Sequence, residues 1–452
     1  MVNKIAVIGV GAAGATAALQ ARKFNREVSI TIFNTEPYSQ YSRCGLPYTI
    51  SGKVRKFDDL VLMQPSNWDS VKIDAKLNTT VTEIDHKNRT LKYDGAEEGE
   101  LKYDALIFAT GARNVDPPIK GLDKERVYGL RTLDDAMVLA KEAEKAKKAV
   151  IIGGGLVGME AAEAFLERGL DVTVVEFLPH CLLAMVDPDM AQIVEDHCRE
   201  HGLKILTNTA AQEISGEKMP SSVVVKNREN EEVKEIPADF VVVATGVKAI
   251  TDLAEQIGVE IGPSHGIKTD ERMMTNLENV YACGDCAENV EFITRKPMAG
   301  GLGTVAVRQA RVAGINAAGG EAKFPGIVGA KVTKLFDMEI ASTGFTAEMA
   351  KQFEIPIVKG SIKGSTKPPY YLGGKDLKVK TYFNKETGKL VGGQLVGLED
   401  AAMRLNVLTL GIQHDIDAVA LFDFENCYAP AICDTWDPLV TSADAARKRL
   451  KM

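Results

Sequence analysis

The sequence lacks the segments that a membrane or secreted protein requires. No run in its 452 residues reaches the roughly 18 consecutive apolar side chains of a bilayer span. The apolar stretch 5–18 is interrupted by Gly9, Gly11 and Gly14, with neither a basic leader nor a small-residue cleavage site, so no signal peptide is expected. Long blocks of like charge are missing too. Lys plus Arg number 54 against 62 Asp plus Glu, and the net charge of −8 argues against nucleic acid as a partner. Cysteines are few and odd in number: Cys44, Cys181, Cys198, Cys283, Cys286, Cys427 and Cys433. That count opposes a secreted disulfide framework and favours a reducing compartment. A soluble, cytoplasmic chain is expected, and its length exceeds one hydrophobic core, which predicts two to four domains.

What is present begins with a dinucleotide fingerprint. Residues 4–9 form an apolar run suited to a buried parallel strand. Gly9-Val10-Gly11-Ala12-Ala13-Gly14 follows, then an Ala-rich helix from Ala15 to about Lys23 and a second strand from Val28 to Phe33. The glycines permit a tight turn, close approach of the backbone to a pyrophosphate and close helix–strand packing. One feature departs from the pattern. The second strand ends at Asn34, where a carboxylate usually accepts ribose hydroxyls, and Glu36 stands two residues on. Asn34 retains the capacity to bond a ribose with less charge assistance.

The pattern recurs. Leu101 to Gly111 reads as a strand ending in Ala109-Thr110-Gly111. Ala149–Ile152 then leads into Gly153-Gly154-Gly155-Leu156-Val157-Gly158, a helix from Met159 to about Arg168, and a strand Asp171–Val175 closed by Glu176. An acidic residue there suits the ribose of NADH and repels the 2′-phosphate of NADPH. NADH is the expected nucleotide, with NADPH the alternative. A second Ala-Thr-Gly ends at Gly246, after the strand Phe240–Val243. Between the two nucleotide units lies Tyr41-Ser42-Arg43-Cys44-Gly45-Leu46-Pro47-Tyr48, a thiol beside a cation that would favour its thiolate.

The order of these segments, with Val280-Tyr281-Ala282-Cys283-Gly284-Asp285 after them, resembles the FAD-dependent pyridine nucleotide–disulfide oxidoreductases over essentially the whole chain. The resemblance implies an α/β fold with two Rossmann-like domains and a C-terminal α+β dimerisation domain. Its expected boundaries are 1–113 with 247–323 for FAD, 114–246 for NAD and 324–452 for the dimer contact. The C-terminal part carries short alternating strands such as Leu377–Phe383 and Leu390–Val396. By the same resemblance Gly9, Gly11, Gly14, Asn34, Thr110, Gly111 and Asp285 hold FAD, while Gly153, Gly155, Gly158, Glu176 and Gly246 hold NADH. Asp285 also reads as a helix N-cap. Cys283 and Cys286 form a Cys-x-x-Cys without a second Cys/His pair, so packing is expected there and no metal.

Many relatives set a second cysteine five positions after the first, where this chain has Thr49. Cys44 would therefore cycle alone. Arg-Cys-Gly-Leu-Pro-Tyr resembles the single-cysteine branch that holds coenzyme A disulfide reductases, NADH-dependent persulfide or polysulfide reductases, NADH oxidases and NADH peroxidases. Oxidases and peroxidases typically place a histidine in the first glycine turn, where Ala12 stands here, and this disfavours oxygen or peroxide as the main substrate.

The reductases hold coenzyme A with residues matching Thr16, Gln20 and Lys23, although a solvated helix face would look the same. Gln40 and Arg43 replace the reductases' usual serine and asparagine, and Arg43 is a candidate for a phosphate or for the thiolate. Tyr370-Tyr371 and Tyr428 match tyrosines that cross to the other subunit's cysteine in a homodimer. Tyr428 is the preferred general acid, with Tyr371 beside it and interface packing as the alternative. Trp436 stands where some reductases carry a basic residue. Cys427 and Cys433 are candidate accessory thiols.

The expected activity is NADH-driven reduction of coenzyme A disulfide, coenzyme A persulfide or polysulfide. NADH oxidase is the nearest alternative; a ferredoxin-type reductase and a redox sensor are more distant ones. No rhodanese-like extension follows Met452, so another protein is expected to supply any persulfide.

Overall fold

The computed structural model describes residues 2–451 and divides into two compact units. The first comprises Met1–Val115, Arg131–Leu133 and Val247–Ile327; the second comprises Asp116–Leu130, Asp134–Gly246 and Val328–Met452.

In the first unit a five-stranded parallel sheet runs in the order Val280–Ala282, Ala105–Phe108, Lys4–Ile8, Ser29–Phe33, Asp74–Lys76. This places the first strand at the centre, buried on both faces, and its glycine turn at the point where strand order reverses. The Ala-rich helix Ala12–Phe24 covers one face against Gly303–Ala317. These helices approach so closely that a β carbon on Gly314 would lie 2.1 Å from the Ala17 carbonyl oxygen.

The second unit repeats this design. Its parallel sheet runs Lys204–Leu206, Asp171–Val175, Lys148–Ile152, Phe240–Val243, Val127–Tyr128. A five-stranded antiparallel sheet accompanies it, in the order Lys331–Leu335, Met338–Gly344, Leu390–Gly397, Asp376–Asn384, Ile357–Ser365. A buried polar cluster ties the two parts of this unit. Asp187 Oδ2 accepts from Lys380 Nζ at 3.0 Å and from the Tyr382 hydroxyl, and its Oδ1 accepts from the Ala347 amide at 3.0 Å. The lysine and carboxylate are almost fully buried, so each needs the other.

Two expectations about elements are corrected. Leu101 to Gly111 is not one strand: it covers the end of Gly99–Lys102 and the whole of Ala105–Phe108, and Ala109-Thr110-Gly111 lies outside both. The break follows from Asp104, whose carboxylate turns away to accept the backbone amides of Asn3 and Lys4 at 2.8 and 2.9 Å. Both fingerprint helices also begin earlier than expected, at Ala12 and Leu156. Gly11 and Gly155 act as N-caps, so the last fingerprint glycine lies inside the first helical turn. No helix among the described residues is long and apolar enough to cross a membrane.

Candidate active site

The two glycine turns share one geometry. Gly9 has φ +105°, and a β carbon there would lie 2.2 Å from the Ala109 carbonyl oxygen; one on Gly14 would lie 1.8 Å from the Gly9 carbonyl oxygen. At the second turn, Gly153 with φ +111° meets the Ala244 oxygen at 2.4 Å, and Gly158 meets the Gly153 oxygen at 1.9 Å. Protein backbone therefore dictates the outer glycines of each turn. The middle ones differ. A β carbon on Gly11 or Gly155 would meet nothing within 4 Å. These are the positions where an open backbone at a helix N-terminus receives a pyrophosphate, so both cradles fit a dinucleotide. The alanines of the two Ala-Thr-Gly segments are the residues that press on the turns, which explains their repetition. Thr110 Oγ1 donates to the Ile250 carbonyl at 2.6 Å, and Gly111 and Gly246 take positive φ.

Glu176 is buried at the end of its strand. Its Oε2 accepts from the Gly154 amide at 2.5 Å and its Oε1 from the Leu178 amide at 2.7 Å. At the first turn, Asn34 Nδ2 donates to the Tyr38 carbonyl at 2.7 Å, shaping the loop that follows. Glu36 is engaged elsewhere: it accepts from the Tyr41 hydroxyl at 2.6 Å and from Arg43 Nη2 at 2.5 Å.

The thiol segment is built on these contacts. Arg43–Gly45 forms one 3-10 turn that runs directly into the helix Leu46–Ser51. A β carbon at Gly45 would lie 2.4 Å from Leu60 Cδ2, so any larger residue there would have to displace that side chain. Thr49 is buried and donates Oγ1 to the Gly45 carbonyl at 3.2 Å. Arg43, half-buried, gives Nη2 to Glu36, gives Nη1 to the Arg131 carbonyl at 2.8 Å and lies 4.9 Å from the Tyr41 ring centre. Burial opposes its charge, but Glu36 outweighs burial and keeps the guanidinium protonated. Its cation is thus shared with Glu36 before it meets any phosphate or the neighbouring thiolate.

Arg131 escaped sequence reasoning. Its Nη2 donates to Asp285 Oδ2 at 2.8 Å and its Nε to the Ala112 carbonyl at 3.1 Å. The motif aspartate is thereby joined through Arg131 to Arg43, the neighbour of Cys44. The N-cap reading of Asp285 is overturned, because no helix begins there; the next one starts at Gly303 with Leu302 as its cap. No sequence signal marks the pair; only the fold shows that Arg131–Leu133 belongs to the first unit although its flanks belong to the second.

Burial sorts the cysteines. Among the described residues only Cys44 and Cys427 are exposed. Burial pushes the thiols of Cys181, Cys198, Cys283 and Cys286 up, that of Cys198 to about 12. Cys286 Sγ lies 3.3 Å from the Cys283 carbonyl and 3.4 Å from that of Phe108, a packed arrangement rather than a dithiol.

On the first helix Thr16 and Gln20 are half-buried and Lys23 is exposed; Gln40 is half-buried, with its carbonyl accepting from the Leu62 amide at 2.8 Å. In the second unit the Tyr428 hydroxyl pairs with that of Tyr370 at 2.6 Å, while Tyr371 lies 6.0 Å from Lys367 Nζ. Tyr370, not Tyr371, is the immediate partner of Tyr428. Cys433 donates Sγ to the Cys427 carbonyl at 2.8 Å, and Trp436 stacks on Phe422.

Two dinucleotide cradles and an exposed cysteine just beyond the first define a flavin- and nicotinamide-dependent oxidoreductase. The chain belongs to the pyridine nucleotide-disulphide oxidoreductase family, which matches residues 3–313, and the family's dimerisation domain matches residues 331–438. Its cofactors are accordingly FAD and NAD(P)H. It is 39% identical over 450 residues to an NADH oxidase of Methanocaldococcus jannaschii, covering 98% of both chains. It is 33% identical over 446 residues, again 98% of both, to the NAD(P)H coenzyme A polysulfide/persulfide reductase of Pyrococcus horikoshii. Among solved structures, an NAD-dependent persulfide reductase from A. fulgidus superposes with a TM-score of 0.95 at 36% identity, over 99% of this chain and 83% of that one.

Proposed function

We propose that the protein reduces a sulfur–sulfur bond in coenzyme A disulfide, coenzyme A persulfide or polysulfide at the expense of NADH, through Cys44 alone. The observation that carries this reading is the exposure of Cys44 on a turn entering a helix, with Thr49 where a second cysteine would stand.

Residues 1–113 and 247–323 would hold FAD through Gly9, Gly11, Gly14, Asn34, Thr110, Gly111 and Asp285. Residues 114–246 would hold NADH through Gly153, Gly155, Gly158, Glu176 and Gly246, and 324–452 would supply the contact between two copies. The chemistry that bound FAD supplies is two-electron transfer from NADH to sulfur. The Cys44 thiolate attacks one sulfur of the acceptor, forming a mixed disulfide and expelling the other half as a thiolate, or as hydrosulfide from a persulfide. Two electrons then regenerate Cys44 and release the bound thiol. For a disulfide the sum is NADH, one proton and RSSR giving NAD+ and two RSH.

Tyr428 of a second copy donates a proton to the departing thiolate, assisted by Tyr370. Thr16, Gln20, Lys23 and Gln40 would position the coenzyme A moiety. Arg43, held by Glu36, serves as positioning residue for the turn.

The name of the Methanocaldococcus relative favours a second reading, NADH oxidase, and Ala12 in the first turn speaks against it. One experiment separates them. Holoenzyme and Cys44→Ser are assayed with NADH against the three sulfur acceptors and oxygen side by side. Sulfur reduction that vanishes in Cys44→Ser, with FAD still bound, supports the proposal. Turnover with oxygen alone, or full sulfur reduction by the variant, overturns it.

A further inference from the structure

Three side chains remote from this chemistry in sequence converge in the second unit. His197 lies on the helix Pro188–Glu200 and His201 at its C-cap, a spacing of four that puts both rings on one face. Asp337 lies in the two-residue turn between Lys331–Leu335 and Met338–Gly344. One potential ligand atom from each falls within 4.8 Å of the others. A tetrahedral ion with bonds of about 2.0 to 2.2 Å needs its ligand atoms roughly 3.3 Å apart, so the set closes when the exposed Asp337 carboxylate turns toward the two rings.

The hydrogen bonding prepares two of the nitrogens. His201 Nδ1 lies 2.8 Å from the His197 carbonyl. A carbonyl only accepts, so Nδ1 carries the proton and leaves the Nε2 lone pair free for a metal. His197 Nε2 is buried and makes no aligned hydrogen bond, although Asp337 Oδ1 stands 2.8 Å away. The nitrogen and the carboxylate oxygen thus already stand side by side, as two ligands of one ion would, and no aligned hydrogen bond has to be broken to bring an ion between them. The rings are further fixed: His201 stacks on Phe336 at 4.3 Å between centroids, and the two imidazoles lie 4.5 Å apart.

We propose that His197, His201 and Asp337 form a binding site for a borderline divalent transition ion, with Zn2+ as the reference ion. Two imidazoles and one carboxylate match the preferences of such ions, and the exposed Asp337 side leaves a coordination position for water. The bound ion clamps the end of the helix to the turn, joining the nucleotide-binding part of the second unit to its antiparallel sheet. It takes no part in hydride or sulfur chemistry.

The test uses the FAD-loaded enzyme in a Cys44→Ser/Cys427→Ser background, because exposed thiolates also bind zinc. His201→Ala and Asp337→Asn are the informative variants, being exposed and therefore able to fold. Equilibrium dialysis against Zn2+ should find about one ion per chain at roughly micromolar free metal, with affinity falling at least about tenfold in either variant. Co2+ should develop visible bands without the near-ultraviolet thiolate charge transfer, and Zn2+ should raise Tm in the parent but not in the variants. Absence of binding up to about a hundred times that concentration, or binding that survives in both variants, overturns the site.

Discussion

A β carbon on Gly9 would lie 2.2 Å from the Ala109 carbonyl oxygen, so the first fingerprint glycine answers to a strand a hundred residues away before it answers to any ligand. The matching contact between Gly153 and Ala244 makes this a rule of both turns. It separates the glycines that the backbone itself requires from Gly11 and Gly155, where a β carbon would meet nothing.

Gly14→Ala should therefore prevent correct folding of the first unit, since its β carbon would meet the Gly9 oxygen at 1.8 Å and relief requires backbone movement. The expected cost is on the order of 3 kcal/mol, read as a lowered urea midpoint or insoluble product. Gly11→Ala meets no neighbour and should leave stability within about 0.5 kcal/mol while lowering FAD content on purification. Equal stability losses in the two variants would contradict this division.

Glu36→Gln keeps an acceptor for the buried Tyr41 hydroxyl and removes the charge that compensates Arg43. The freed cation then favours the Cys44 thiolate. Alkylation of Cys44 by iodoacetamide near neutral pH should accelerate severalfold, an effect absent in Glu36→Gln/Arg43→Met. An unchanged or slower rate would mean that Glu36 does not restrain Arg43.

Burial pushes the Asp187 carboxyl up, but the bonds from Tyr382, Ala347 and Lys380 outweigh it and hold it below the usual carboxylate range. A depressed folded-state value contributes stability that is present above the unfolded value near 4 and is lost as pH falls through the folded one. Asp187→Asn should flatten the fall of Tm below about pH 4. Lys380→Met, which strands a buried carboxylate, should cost about 3 to 5 kcal/mol at neutral pH, and the double variant should recover part of it.

If Glu176 meets the nucleotide ribose as proposed, Glu176→Gln removes the charge that would favour ribose hydroxyls and repel a 2′-phosphate. The ratio of kcat/KM for NADH to that for NADPH should fall about tenfold or more, the worth of one charge-assisted hydrogen bond. The KM of the sulfur acceptor should not move. An unaltered nucleotide ratio would remove Glu176 from the specificity argument.

The two strand–turn–helix units were legible because their requirements are local. Gly9 to Gly14 and Gly153 to Gly158 encode positive φ, helix start and close approach within six residues, and apolar runs on either side mark buried parallel strands. The exposed thiol segment was legible as well, since Gly45 and Pro47 constrain it in place. Short-range pattern failed where a side chain interrupts a run: Asp104 ends one strand by bonding the start of another, which no alternation within 101–111 reveals. Sequence by itself thus determined the family, the order of its nucleotide units and the cysteine that distinguishes its branch. Tertiary structure decided which charges meet. Arg131 with Asp285, Lys380 with Asp187, Tyr370 with Tyr428 and His197 with Asp337 are each separated by 58 to 193 residues. Such pairs arise from the packing of distant elements, and long polar side chains carry no periodic signal before the fold brings them together.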